Sequence, residues 1–92
     1  MSSSPVRRRV VARGRVQGVF FRDTVQRRAH AAGVGGWVRN RPDGALEAVF
    51  EGEPNDVEAM VAVCRTGSSR AVVEELDVVE EPVEGINGFS VR

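Results

Sequence analysis

The sequence predicts a small α+β sandwich in which a four-stranded, mostly antiparallel sheet carries two helices on one face. Three observations lead there. Residues 22–32 and 54–64 repeat apolar side chains at the i, i+3, i+4, i+7 spacing of a helix with one buried stripe. Other stretches have the length and the alternation of strands. Clusters of Gly, Pro and Asp punctuate them at the expected boundaries.

Taken in order, residues 1–5 read as a disordered tail and residues 6–92 as one domain. Residues 8–16 form the first strand, with Val10, Ala12 and Val16 on one face and Arg9, Arg13 and Arg15 on the other. Val11 puts an apolar residue on the Arg face, which predicts an interior strand with burial on both sides. The alternation breaks at residues 17–21, around Gly18. Residues 22–32 form a helix whose apolar face is Phe21, Val25, Ala29 and Ala32, and Gly33 is a good stop. After Gly35 and Gly36, residues 37–40 form a second strand. Arg41-Pro42-Asp43-Gly44 is a strong turn, with Pro second and a Gly able to take positive φ. Residues 45–51 return as a strand with Leu46, Ala48 and Phe50 on one face. The pair is a hairpin, and Asn40 sits at its end beside the turn.

Pro54 suits the first turn of a second helix, whose buried stripe is Val57, Met60, Val61 and Cys64. Gly67 and two serines end it. Residues 72–80 form a fourth strand with Leu76 and Val78 as core residues. Residues 85–88 turn, and residues 89–91 add a short closing strand. The order β-α-β-β-α-β is the split-βαβ, or ferredoxin-like, arrangement. No internal repeat, low-complexity segment or linker interrupts it.

Composition bounds the function. At 92 residues, 41% hydrophobic and 28% charged, the chain has the balance of one soluble globular domain. No apolar run approaches the roughly 20 residues of a membrane span, and nothing after the first residues resembles a signal peptide, so a cytoplasmic location is expected. With a single cysteine, Cys64, an internal disulfide is excluded. Only His30 could join Cys64 at a zinc site, so no metal and no other cofactor is expected. Formal charge is zero, but all thirteen basic residues are Arg, crowded into the first half, while the acids crowd into the second. Composition alone favours solvated charged faces over an anion-facing half. Arg7 to Arg9 read as a solvated strand start.

The chemistry concentrates in residues 14–22, Gly-Arg-Val-Gln-Gly-Val-Phe-Phe-Arg. A strand ends, a Gly-containing loop turns, and a helix begins at an Arg. Amides of such a loop and of a helix start have no ladder partner, and with the helix dipole they favour an anion. Gly18 lets the backbone curl, and Arg22 presents a planar fork of donors suited to two phosphate oxygens. Alone, this arrangement is a weak signal, because many such loops merely connect.

Residues 14–22 resemble the first acylphosphatase motif, in which Gly, then Val-Gln-Gly-Val and an aromatic precede an Arg. Gly36-Trp37-Val38-Arg39-Asn40, followed by Gly44 and Gly52, resembles the second motif of that family. The resemblance runs from about Val10 to Arg92. It implies hydrolysis of acyl phosphates, with Arg22 as the catalytic phosphate-binding residue. It implies a phosphate-binding loop of Gln17, Gly18, Val19, Phe20 and Phe21, and Asn40 as the catalytic residue that orients water. It further implies inorganic phosphate as product and inhibitor, and a monomer with neither nucleic acid nor membrane as partner. Leu46 stands where the family often has Val. Phe20 stands where many members have Gly, which bears on which acyl groups fit.

Other residues read more plainly. Asp23 favours the helix N-terminus electrostatically. Thr24 and His30 face solvent, Cys64 is a buried small hydrophobe, and Trp37 is a packing residue. Three rival functions compete. A nucleic-acid-binding sheet needs stacking aromatics on its central strands, and that pattern is missing. A domain within a larger carbamoyl-transferring enzyme is disfavoured by the end of the chain at Arg92. A regulatory small-molecule binder does not account for Arg22 and Asn40 at both motif positions.

Overall fold

Seven elements follow one another along residues 4–92, the part of the chain that the computed structural model describes. They are β1 (Val6–Arg15), α1 (Phe21–Ala32), β2 (Gly35–Asn40), β3 (Leu46–Gly52), α2 (Pro54–Thr66), β4 (Val72–Glu81) and β5 (Phe89–Val91). Of the expected tail, residues 1–3 lie outside the described residues, and Ser4 and Pro5 are exposed ahead of β1.

Burial of one face selects the architecture. Val10, Ala12, Val38, Leu46, Ala48 and Phe50 point from the sheet into a core closed by Phe21, Val25 and Ala29 of α1 and by Val57, Met60, Val61 and Cys64 of α2. Both helices end as their sequences predict. Gly33 takes φ 70° after α1, and Gly67 takes φ 65° after α2, donating its amide to the Val63 carbonyl at 2.7 Å. Burial pushes the Cys64 thiol up to about 12, so at neutral pH it remains a small apolar group.

The sheet has five strands in the order β4-β1-β3-β2-β5, not four. All neighbours are antiparallel except β2 and β5, which run parallel with Gly36 opposite Phe89 and Val38 opposite Val91. Two glycines read as a prelude to β2 make this possible. They are part of the strand, and a Cβ on Gly35 would stand 2.4 Å from the Ile86 carbonyl oxygen. On Gly36, at φ 139°, it would stand 1.8 Å from the Val49 carbonyl oxygen. The chain can therefore close against β2 only where side chains are missing. As Val11 indicated, β1 is interior, between β4 and β3. The expected core role of Val78 does not hold. Because β4 is an edge strand, Val78 is 39% exposed and Leu76 only half-buried.

The reading of Arg7 to Arg9 as a solvated strand start is overturned as well. On the sheet face away from the helices, Arg7 is 4% exposed and binds Glu51 at 2.7 Å and Glu81 at 3.0 Å. Arg9 bridges Glu81 and Glu47, and Arg39 reaches Glu47 at 2.7 Å. Four of the five strands, β2, β3, β1 and β4, are thus crossed by a continuous relay of guanidinium and carboxylate. Arg8, on the helix side, pairs with Glu80 and Glu58. Antiparallel register explains the choice of partners, since Arg7 stands opposite Glu51 on one side and Glu81 on the other.

The relay makes stability depend on pH. Burial pushes the Glu47 and Glu51 carboxyls up, but hydrogen bonds from Arg39 and Arg9 to the first, and from Arg7 and the Gly85 and Glu84 amides to the second, outweigh it and hold both below the ordinary value of 4.5. Arg9 and Arg7 do the same to Glu81. A depressed folded-state value means that the unfolded chain takes up protons first as pH falls. The stabilisation is therefore complete above the ordinary value and is lost below it. Thermal melts followed by circular dichroism should show a level Tm from pH 8 to about 5 and a progressive fall below about 4.5. Glu51→Gln, which removes one carboxylate and leaves Arg7 buried with a weaker partner, should start from a lower Tm and fall less steeply.

Candidate active site

The loop between β1 and α1 is held at both ends. Gln17 Nε2 donates to the carbonyls of Arg41 and Ala45, at 2.8 and 3.0 Å, and so ties the loop to the base of the β2–β3 hairpin. Farther on, Ser68 Oγ donates to the Val19 carbonyl, and Val19 is buried in the core. Between these anchors Gly18 is exposed at φ 72°, and its Cβ position faces open space, so the residue is required for its backbone angle.

Phe20 takes φ 62° and ψ 23°, the left-handed conformation, immediately before the first residue of α1. It is the one positive-φ residue other than glycine among the described residues. For a bulky side chain this is a true outlier. The Phe20 carbonyl begins the helix, accepting from the Thr24 amide at 3.1 Å and from Thr24 Oγ1 at 3.0 Å. Thr24 thus serves the loop rather than solvent. Among the described residues, the amides of Gly18, Val19 and Phe20 have no acceptor, and the first helical amides add further free donors. Successive donors beside left-handed residues form an anion-binding concavity.

Arg22, one residue into α1, is exposed and makes no ion pair among the described residues. Asp23 pairs with Arg27 at 3.1 Å. The hairpin supplies Asn40. Its turn is fixed by Arg41, whose amide donates to the Ala45 carbonyl at 2.8 Å, and by Asp43, whose Oδ1 accepts from the Ala45 amide at 3.1 Å. That amide, together with Arg41 and Arg13, holds the Asp43 carboxyl below its ordinary value. Asn40 Oδ1 is buried, and among the described residues it is the only such side-chain polar atom without a hydrogen-bond partner. Buried polar atoms are almost always satisfied, so an orphan acceptor marks a place for a donor.

A cavity of about 470 Å³ brings these groups together, lined by Gly18, Phe20, Phe21, Arg22, Asn40 and their neighbours. Gln17 and Val19 belong to the loop but not to the cavity wall. Four wall residues were not singled out as site residues from the sequence: Val16, Asp23, Gln26 and Val91. Gln26 follows Arg22 by one helical turn, a spacing the sequence already offered. Val91 arrives through the unanticipated parallel pairing of β5. His30, exposed as expected, keeps β5 in place, with Nε2 lying 3.0 Å from the Phe89 carbonyl. On the opposite sheet face a second hollow of about 540 Å³ also reaches Asn40 and contains Trp37, Arg9, Arg39, Arg92 and Glu47. Trp37 packs there with the Arg92 guanidinium 4.6 Å and that of Arg9 5.7 Å from its ring. Among the described residues no three His, Cys, Asp or Glu side chains gather in a way that could hold a metal ion.

The acylphosphatase family model matches residues 8–91, which contain every residue that lines the first cavity. The chain belongs to the acylphosphatase family of enzymes. An acylphosphatase from Haloarcula marismortui is 55% identical over 86 residues, covering 94% of each chain. One from Rubrobacter xylanophilus is 55% identical over 85 residues, covering 91% of this chain and 77% of the relative. The crystal structure of the acylphosphatase from Bacillus subtilis superposes with a TM-score of 0.90 at 38% identity, covering 95% of this chain and 98% of that one. The fold is therefore the ferredoxin-like α+β fold expected, with the fifth strand added. No helix is long and apolar enough to cross a membrane.

Backbone strain at Phe20 is separable from the rest of the site. The ring is 68% exposed, so little burial is lost with it, whereas a left-handed bulky residue costs about 1–2 kcal/mol. Phe20→Gly should raise the free energy of unfolding by about 1 kcal/mol, less the added chain entropy of glycine, as read from urea melts.

Proposed function

We propose that the protein hydrolyses acyl phosphates to a carboxylate and inorganic phosphate, with Arg22 and the loop amides binding the phosphate and Asn40 orienting water. One observation carries the reading. The unpaired Arg22 guanidinium and the orphan buried Oδ1 of Asn40 line the same cavity. A dianionic phosphate offers only acceptors, which suits the fork of Arg22 and the free amides of Gly18, Val19 and Phe20. A water molecule offers donors, which suits Asn40 Oδ1.

The chemistry asks little more of the chain. An acyl phosphate is a mixed anhydride with a good leaving group. Water oxygen bonds to phosphorus as the bond from phosphorus to the acyl oxygen breaks, and that oxygen leaves with the electron pair as a carboxylate. One water proton passes to the phosphate, giving dihydrogen phosphate. Holding the two reactants in line supplies much of the roughly 7–11 kcal/mol available from positioning. The cationic cradle offsets charge on the equatorial oxygens. Asp23 is the one carboxylate on the cavity wall, and it is turned to Arg27. Asp43 is occupied by the turn. With neither free, the substrate phosphate is the proton acceptor, and inorganic phosphate, the product, competes for the same donors.

Hydrolysis of benzoyl phosphate by the purified protein, with and without EDTA, tests the activity. Turnover unaffected by EDTA is expected, and its absence under both conditions would sink the proposal. Arg22→Lys keeps the charge but loses the fork, so kcat/KM should fall by about 100-fold and inhibition by phosphate should weaken with it. Asn40→Ala should lower kcat by about 100-fold or more and leave the inhibition constant for phosphate within about threefold. An equal collapse of phosphate inhibition in that variant would make Asn40 a structural residue instead.

A further inference from the structure

Two adjacent phenylalanines part company at the start of α1. Phe21 is 2% exposed in the core, while the left-handed turn at Phe20 throws its ring outward to 68% exposure on the rim of the cavity. A large exposed aromatic kept at the expense of backbone strain points to a use for it. Above that ring stands the guanidinium of Arg70, with Cζ 6.0 Å from the ring centroid. Arg70 is exposed and has no carboxylate partner among the described residues, although the acids of β4 begin four residues later. The cavity mouth thus has a flat apolar surface with an unpaired positive charge at its edge.

In-line displacement decides what this surface faces. The leaving acyl oxygen departs on the side of phosphorus opposite the attacking water. Asn40 ends β2, near one edge of the sheet. Phe20 and Arg70 belong to the other side, because residues 68–71 lead directly into β4 at the opposite edge, and Ser68 is bound to the Val19 carbonyl beside Phe20. Strands spaced at about 4.8 Å put β2 and β4 roughly 14 Å apart, with β1 and β3 between them. The acyl group therefore departs toward Phe20 and Arg70. The hollow around Trp37 opens on the opposite sheet face, and neither Phe20 nor Arg70 lines it.

We infer that Phe20 and Arg70 form an acyl-group subsite that favours acyl phosphates carrying a second negative charge. The inference rests on the roles of Arg22 and Asn40 proposed above. The ring of Phe20 covers the apolar part of the acyl chain, and Arg70 meets the distal carboxylate. Asp23, the one wall carboxylate, does not cancel this charge, since it is paired with Arg27 on α1.

The test compares succinyl phosphate, with a distal carboxylate, against acetyl phosphate, without one. The wild-type protein should show the higher kcat/KM on succinyl phosphate, chiefly through KM, and the advantage should shrink as ionic strength rises. Arg70→Gln should lower the ratio of the two kcat/KM values by about fivefold, and Arg70→Glu should invert the preference. Both substitutions are on the surface, so folding should survive them, as circular dichroism will report. A ratio that is unchanged in Arg70→Glu, or a wild-type protein indifferent to the distal carboxylate, would overturn the inference while leaving the hydrolytic reading intact. Failure of the wild-type protein on acetyl, benzoyl and succinyl phosphate alike would overturn the parent reading and this one with it.

Discussion

The candidate site depends on the side-chain amide of Gln17. By donating to the carbonyls of Arg41 and Ala45, it fastens the loop after β1 to the hairpin that carries Asn40. The two segments are more than twenty residues apart, and nothing in the core requires them to meet at this angle. A single hydrogen bond of this kind is worth about 1 kcal/mol net, and both carbonyls also accept an amide within the turn, Gly44 on Arg41 and Arg41 on Ala45, so what Gln17 adds is the tie between the two segments. The loop is also polarised by its anchors. Its carbonyls at Val19 and Phe20 are taken by Ser68 and Thr24, so the groups left over are donors. Free amides beside left-handed residues are what supports the anion site proposed above.

The uneven charge along the chain has a different cause. Most basic residues fall in the first half and most acidic residues in the second, which reads as solvated charged faces until the sheet is assembled. Antiparallel pairing then sets Arg7 and Arg9 of β1 against Glu47 and Glu51 of β3 and against Glu81 of β4. The segregation is a record of which strands become neighbours. It also removes those arginines from the pool that could bind substrate, leaving Arg22 and Arg70 as unpaired guanidiniums at the cavity. Charge that is paired across strands holds the sheet's open face, which no helix covers.

Most of the fold was legible because its signals are local. Helical stripes, glycine stops and the Arg41–Gly44 turn each act within a few residues. What escaped was set by distant backbone. The parallel pairing of β5 with β2 depends on Gly35 admitting the carbonyl of Ile86, just as Gly36 admits that of Val49 on β3, and no pattern within β2 announces that. The exposure of Val78 follows from β4 lying at the edge, which alternation cannot distinguish from an interior strand. At the site, Arg22 was legible from its place at a helix start after a glycine loop. Asn40 was legible only through the family motif, because an Asn beside a turn usually serves the turn. Gln26 had only its place one helical turn after Arg22, and Arg70 carried no signal of its own, since its importance comes from what the chain folds beside it.

The orphan oxygen of Asn40 and the free donors of the loop bear on how the site would discriminate. The cavity has exposed donors on one side and an unmet acceptor on the other, and of these the buried Asn40 Oδ1 is the one whose lack of a partner costs the folded protein. A phosphate satisfies the donors but offers nothing to Asn40 Oδ1 unless it is protonated. Water satisfies Asn40 Oδ1 but cannot replace an anion at Arg22. On the roles proposed above, only the pair satisfies both, so the arrangement would favour simultaneous occupancy over either ligand alone. That is the condition for in-line attack, and it follows from the sign of the unmet groups rather than from any added base.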